Sequence, residues 1–181
     1  MKILIIIPAK LDSIRLNKKN LRKIDGKSLV QHSIDYAKAT KYQTDIIVSS
    51  ESFEVQKIAL ANKVLFHHRE LELCGDTEVV DVYLNIVSNL SEEYDLVIGL
   101  QPDNPDRSHS LDECIDYMLE NNYDDLITVN EKYKRSGSVR IFKYKYLKYG
   151  QVSKRIGCIK DDATDIHYQE DLDKLINKIK L

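Results

Sequence analysis

An unbroken apolar run over residues 3–7 ends at Pro8 and gives way to a charged stretch over residues 10–27. A run this short and this uniformly aliphatic predicts a strand buried on both faces, feeding a loop that must stay in water. Comparable β-rich runs recur over residues 2–7 (the first run), 45–49, 63–66, 96–100, 126–129 and 138–142, with a weaker one over 156–159. Segments of helical period fill the gaps. Residues 28–39 put Val30, Ile34 and Ala37 on one face, and 53–61 form a shorter segment. Residues 77–90 repeat Val79, Tyr83, Ile86, Val87 and Leu90, 111–121 group Leu111, Cys114, Ile115 and Met118, and the last helix carries Leu172, Leu175 and Ile176. Strands alternating with single-stripe helices predict an α/β fold, a doubly wound, mostly parallel sheet flanked by helices. No repeat, low-complexity linker or proline-rich break divides the chain, so residues 1–181 are expected to form a single domain.

Composition narrows this picture. A domain of about 150 residues buries roughly 70% of its unfolded surface, so 181 residues suffice for a sizeable core. The formal net charge of -2 balances 27 Lys and Arg against 29 Asp and Glu, which argues against a one-sided basic surface for nucleic acid. Any basic site must be local. The first apolar run is too short for a signal-peptide core or a membrane span, so the expectation is a cytoplasmic protein without a membrane partner. Cys74, Cys114 and Cys158 lack Cys-x-x-Cys spacing and read as packing residues rather than a disulfide or zinc framework. Tyr144, Tyr146 and Tyr149, interleaved with lysines, read as a short amphipathic helix rather than a base-stacking surface.

Candidate chemistry gathers after the first strand. Ligands of open α/β sheets sit beyond the carboxyl ends of the strands, and Lys10, Arg15, Lys18, Lys19 and Arg22 all follow this strand closely. They make an anion site, or, taken alone, a solvated charged loop. Gln101 ends an apolar run and needs a polar partner, whereas Arg69 alone is as readily a surface residue. There is no Walker-type loop, no G-x-G-x-x-G and no nucleophile triad in a plausible setting.

The opening segment reads P-A-K-L-D-S-I-R-L-N-K-K-N-L-R-K-I-D-G-K-S-L. It resembles the signature of the sugar-acid cytidylyltransferases, which make CMP-N-acetylneuraminate and CMP-3-deoxy-manno-octulosonate. Further segments are similar to that family in the same order: D-I-I-V-S-S-E-S from Asp45, R-E-L-E-L-C-G-D from Arg69, L-Q-P-D-N-P-D-R from Leu100, G-S-V-R-I-F from Gly137 and D-I-H-Y-Q-E-D-L from Asp165. The resemblance implies a nucleotide-diphospho-sugar transferase-like fold and transfer of CMP from CTP to an acidic sugar, a nonulosonate or ulosonate, with release of pyrophosphate. The smaller alternatives are transfer to a phosphonate or other acid, and a catalytically silent nucleotide-binding domain. It implies Lys19, Lys10 and Arg15 as catalytic cations on the phosphates, and Ser13, Asn20, Arg69, Asp76 and Gln101 as nucleotide-binding residues. Asp103 and Asp165 are implied as ligands of Mg²⁺, with Mn²⁺ a second possibility, and Arg107 and Arg140 as holders of the acceptor's acid group.

The chain departs from the family's pattern in three places. Lys10 stands where an arginine is usual, which keeps the charge and loses the two-pronged grip on phosphate. His167 stands where a second aspartate is usual, and imidazole suits metals softer than Mg²⁺. Only residues 130–137 separate two strands between which the family usually inserts a dimer-forming subdomain. The resemblance, so shortened, implies a monomer or a dimer unlike the family's.

Overall fold

The computed structural model describes residues 1–11 and 13–179. Its centre is β1 (Lys2–Pro8), where Ile3, Leu4, Ile5, Ile6 and Ile7 are all fully buried. Each such side chain contributes about 1.5–3 kcal/mol by leaving water, which is why an all-aliphatic strand takes the middle of a two-faced sheet. The other strands are β2 (Lys23–Ile24) and β3 (Lys27–Ser28), paired as a small hairpin, then β4 (Gln43–Ser50), β5 (Leu65–His68), β6 (Leu96–Gly99), β7 (Asp125–Val129), β8 (Arg135–Lys143) and β9 (Ile156–Lys160). Seven of them form one sheet in the order β5-β4-β1-β6-β8-β7-β9. All neighbours are parallel except those of β8, which runs antiparallel to both β6 and β7. The expected strands are all present, with β5 and β8 displaced or lengthened by a few residues. The β2–β3 hairpin, turning at Asp25 and Gly26 with positive φ, was not anticipated.

Among the described residues there are six α-helices: α1 (Leu29–Lys38), α2 (Phe53–Ala61), α3 (Val79–Asn89), α4 (Leu111–Glu120), α5 (Tyr144–Lys148) and α6 (Gln169–Ile179). Their starts follow from side-chain caps. Ser28 accepts from Gln31 N–H, Ser52 from Glu54 and Val55 N–H, and Ser110 forms a reciprocal capping box with Glu113. Val30, Ile34, Val55, Cys114, Ile115 and Met118 pack with alternate residues of β1 on one face. Val82, Tyr83, Ile86, Val87, Phe142, Tyr144 and Leu147 pack with Leu4 and Ile6 on the other. Leu172 and Leu175 of α6 dock away from the sheet, against Leu16, Ile24, Leu29 and Ile166. The final helix therefore clamps the basic loop after β1 instead of covering strands. Cys114 is buried as expected, while Cys74 is half-buried and Cys158 exposed, so packing accounts for only one of the three. Among the described residues no helix is long and apolar enough to cross a membrane.

Candidate active site

A cleft of about 470 Å³ lies beyond the carboxyl ends of β1 and β6, and Pro8, at the end of β1, forms its base. Its wall includes Lys10, Ser13, Arg15, Lys19, Asn20, Arg69, Asp76, Gln101 and Asp103, together with His167. Residues spread over much of the chain thus meet at one crevice, where the sheet's topology places ligands.

The adjacent lysines show how the backbone selects between a solvated face and a site. Lys18 adopts a left-handed conformation (φ 51°), which reverses the chain ahead of a single 3₁₀ turn, Lys19–Leu21. Lys18 consequently points out to Glu54, 3.1 Å away, with half its side chain in water. Lys19 points in: its ammonium lies 2.6 Å from Asp103 Oδ2, donates to the Ile166 carbonyl at 2.9 Å, and is only 12% exposed. The solvated-loop reading therefore holds for Lys18 and fails for Lys19. Lys10 crosses the cleft to donate to the Gly75 carbonyl on the opposite lip. Arg15 is exposed at the rim, its guanidinium 5.9 Å from the Tyr168 ring.

Arg69 is buried, not a surface residue. Its Nη2 donates to the Ser49 carbonyl at 2.9 Å and its Nε to Ser49 Oγ at 3.3 Å, which aims the guanidinium into the cleft from the end of β5. Burial lowers its pKa from the usual guanidinium range, but an arginine stays charged. Gln101 lies against Gly137, whose φ of +78° and missing side chain make the approach possible: a Cβ there would stand 2.4 Å from Gln101 Nε2. Gln101 thus packs closely against the backbone of β8 and lines the cleft.

Asp103 and Asp165 were tested as holders of a divalent cation by what surrounds their oxygens. Asp103 Oδ1 is buried without any hydrogen-bond partner, an unmet acceptor facing Lys19's territory. Partial burial pushes the Asp165 carboxyl up, the charge of Asp103 pushes it further, and His167 and Lys19 oppose both. Two mutually repelling carboxylates fit Mg²⁺, which uses one or two such groups and takes its remaining ligands from water and phosphate. Among the described residues no group of three His, Cys, Asp or Glu could hold a metal unaided. His167 Nε2 lies 2.8 Å from Asp165 Oδ2, and its Nδ1 is buried and unpartnered. Asp165 itself does not line the cleft; His167 does.

Two expected acceptor ligands are not in the cleft. Arg107 donates to the carbonyls of Gln101 (2.7 Å) and Ser138 (3.1 Å) and stacks over Tyr36, so it ties the turn after β6 to β8. Arg140 makes a two-pronged pair with Asp125 (2.7 and 3.3 Å) and covers Phe142. Neither guanidinium borders the cleft, although Arg107 Nη1 is buried without a partner. Asn20 borders the cleft, yet its amide nitrogen donates to the Lys10 carbonyl at 2.7 Å and so shapes the loop instead of presenting that donor to a base.

Two residues given no role by the sequence prove structural. Glu51 Oε1 accepts from Leu11 N–H at 2.6 Å while Oε2 receives the Cys74 thiol, which braces the two lips of the cleft. Asp161, fully buried, accepts from the Ser108 and Ala163 amides and the Ser108 and Ser138 hydroxyls. A charged residue directly after a buried strand was the available signal for Glu51; Asp161 carried none.

A mostly parallel α/β sheet with basic loops and a carboxylate converging beyond β1 and β6 is the nucleotide-diphospho-sugar transferase-like fold. Residues 4–148 match the cytidylyltransferase family, and the chain belongs to it. It is 33% identical over 134 residues to post-translational flagellin modification protein B of Campylobacter coli, a match covering 70% of this chain and 57% of that protein. It is 27% identical over 172 residues to the N-acylneuraminate cytidylyltransferase of Streptococcus agalactiae, covering 93% of this chain and 41% of that one. Other relatives are named as a CMP-N,N'-diacetyllegionaminic acid synthase and as 3-deoxy-manno-octulosonate cytidylyltransferases, so the family is of the sugar-acid type. The chain spans about half the length of the curated relatives it matches, 57% and 48% for the flagellin-modification and legionaminic acid proteins. A solved CMP:2-keto-3-deoxy-manno-octonic acid synthetase complexed with CTP has the same fold, with a TM-score of 0.79 over 99% of both chains at 16% identity.

Proposed function

We propose that this chain transfers CMP from CTP to a hydroxyl of an acidic sugar, a nonulosonate or ulosonate, and releases pyrophosphate. The observation that carries the reading is the meeting of Lys10, Lys19, Arg69, Gln101 and Asp103 in one cleft of a cytidylyltransferase-family fold. In-line attack forms an oxygen–phosphorus bond at the α-phosphate and breaks the bond to the β-phosphate. Negative charge grows on the equatorial and leaving oxygens, where preorganised cations lower the barrier most. Lys19 and Lys10 would meet that charge, with Arg15 closing from the rim and Ser13 and Asp76 lining the phosphate and ribose ends. Arg69 and Gln101 would read the base edge, with Asn20 beside them holding the shape of the loop that carries Lys10. Mg²⁺, or Mn²⁺ in its place, would be held by Asp103 and Asp165 and would supply charge neutralisation on the triphosphate.

The acceptor side is reduced. Residues 130–134 close in a tight turn, with Asn130 N–H donating to the Lys134 carbonyl and Asn130 Oδ1 accepting from Lys132 and Lys134 N–H. So short a turn supports a monomer or a dimer arranged unlike the family's, acting on an acceptor small enough for an open cleft, and a cytoplasmic location is part of the same proposal. Calorimetry with the four nucleoside triphosphates is the test. Preference for CTP is expected, because a wrong base leaves buried polar groups unpaired; equal affinities would sink the reading, and CTP binding without pyrophosphate release across a panel of acidic acceptors would leave a silent nucleotide-binding domain.

A further inference from the structure

Asp103, the carboxylate placed to hold a divalent metal, already has a cation. Lys19 Nζ lies 2.6 Å from Oδ2, and both side chains are nearly enclosed, at 12% and 14% exposure. The second oxygen, Oδ1, is buried with nothing bonded to it. Lys19 is held there by a second acceptor, the Ile166 carbonyl, on the same strip of chain as Asp165 and His167. The ammonium thus ties together both carboxylate-bearing segments.

We propose that Lys19 is the resident counter-cation of the metal site in the nucleotide-free protein, and that a divalent ion and Lys19 exchange places when the triphosphate arrives. The inference rests on Asp103 being a metal ligand, as read above. A hard cation bonds carboxylate oxygen at about 2.1 Å, so an ion on Oδ1 would face the ammonium on Oδ2 at close range. In a partly dry cleft that repulsion is poorly screened. A triphosphate removes it by offering the ammonium a new anion. Only the side chain of Lys19 has to swing, because the left-handed residue before it and the 3₁₀ turn after it already hold its backbone at the cleft wall. Linkage then requires that metal and nucleotide each tighten the other's binding by the same factor.

The exchange is read without turnover, by titrating Mn²⁺ into the full chain and following the free-ion electron paramagnetic resonance signal. Without nucleotide, the parent and Lys19→Arg should bind Mn²⁺ weakly, Lys19→Met tighter by about tenfold or more, and Lys19→Met with Asp103→Asn should lose the gain. With CTP present, the parent should bind Mn²⁺ more tightly than Asp103→Asn, the reference for metal held by the nucleotide alone. Equal Mn²⁺ affinity in the parent and Lys19→Met, still sensitive to Asp103→Asn, would overturn the exchange while keeping Asp103 as ligand. Mn²⁺ binding indifferent to Asp103→Asn, with and without CTP, would overturn both. Should Lys19→Met fail to fold, calorimetry on the parent decides: a CTP affinity unmoved by Mn²⁺ overturns the exchange.

Discussion

The two ends of the sheet use the same kinds of residue to opposite ends. On the parallel side, β5-β4-β1-β6, charged side chains at the strand ends turn toward a cleft: Lys10, Lys19, Arg69 and Asp103. On the β8-β7-β9 side, charged side chains turn on one another: Arg140 with Asp125, Lys143 with Asp124, Asp161 with its ring of hydroxyls and amides. A parallel strand delivers its following loop to the ligand-binding edge, whereas antiparallel β8 delivers its start there and its charges into neighbouring strands. Residue type therefore says little about where a charge turns in this molecule; the partners each strand end meets say more.

The sharpest way to break that contrast is Arg140→Ala. It strips the partner from Asp125, which is 4% exposed, and should cost about 3 kcal/mol of stability in urea unfolding, with CTP affinity within about twofold of the parent. A stable variant with weakened acceptor binding would instead restore Arg140 to the site. Lys19→Ala should show the reverse, with turnover reduced on the order of 100-fold. Unchanged turnover would remove Lys19 from the chemistry.

Asp161→Asn sharpens the contrast through pH. Burial pushes the Asp161 carboxyl up, but the amides and hydroxyls of Ser108, Ser138 and Ala163 overrule it and hold the pKa below the usual carboxylate value. A depressed pKa stabilises the fold above the unfolded-state value of about 3.9, and that stability is lost as pH falls through the folded value. The parent should therefore lose stability into acid more steeply than Asp161→Asn, which should be weaker at neutral pH by about 1–3 kcal/mol; parallel pH–stability curves would show that Asp161 does not matter. Gly137→Ala carries the smallest effect, about 1 kcal/mol of strain from its positive φ. It should also raise the KM for CTP by displacing Gln101, and an unaltered KM would free Gln101 from any role in base recognition.

Much of the fold was legible because burial on two faces leaves an aliphatic signature, as in residues 3–7, and because Ser28, Ser52 and Ser110 sit where helix caps belong. The cleft was legible as far as order along the chain carried it. What lay hidden depended on dihedrals and distant partners. Charge pattern alone does not separate Lys18 from Lys19, and only the family resemblance singled out Lys19; the left-handed conformation of Lys18 is what turns the two apart. Arg107 and Arg140 had the right type and position for an anion, and only the carbonyls and the Asp125 carboxylate facing them reveal that they are taken. The last helix was expected on the sheet by its stripe, but a stripe fixes that a face is buried, not against what.

The turn at residues 130–134 hangs from the same edge of the sheet as the cleft, because β8 begins there and brings Gly137 against Gln101. Lengthening it would leave both cores untouched, and each doubling of a loop costs only about 0.6 kcal/mol in closure entropy. The cleft can therefore acquire a new wall by insertion at one point, without disturbing Lys10, Lys19 or Arg69 beyond the parallel strands opposite.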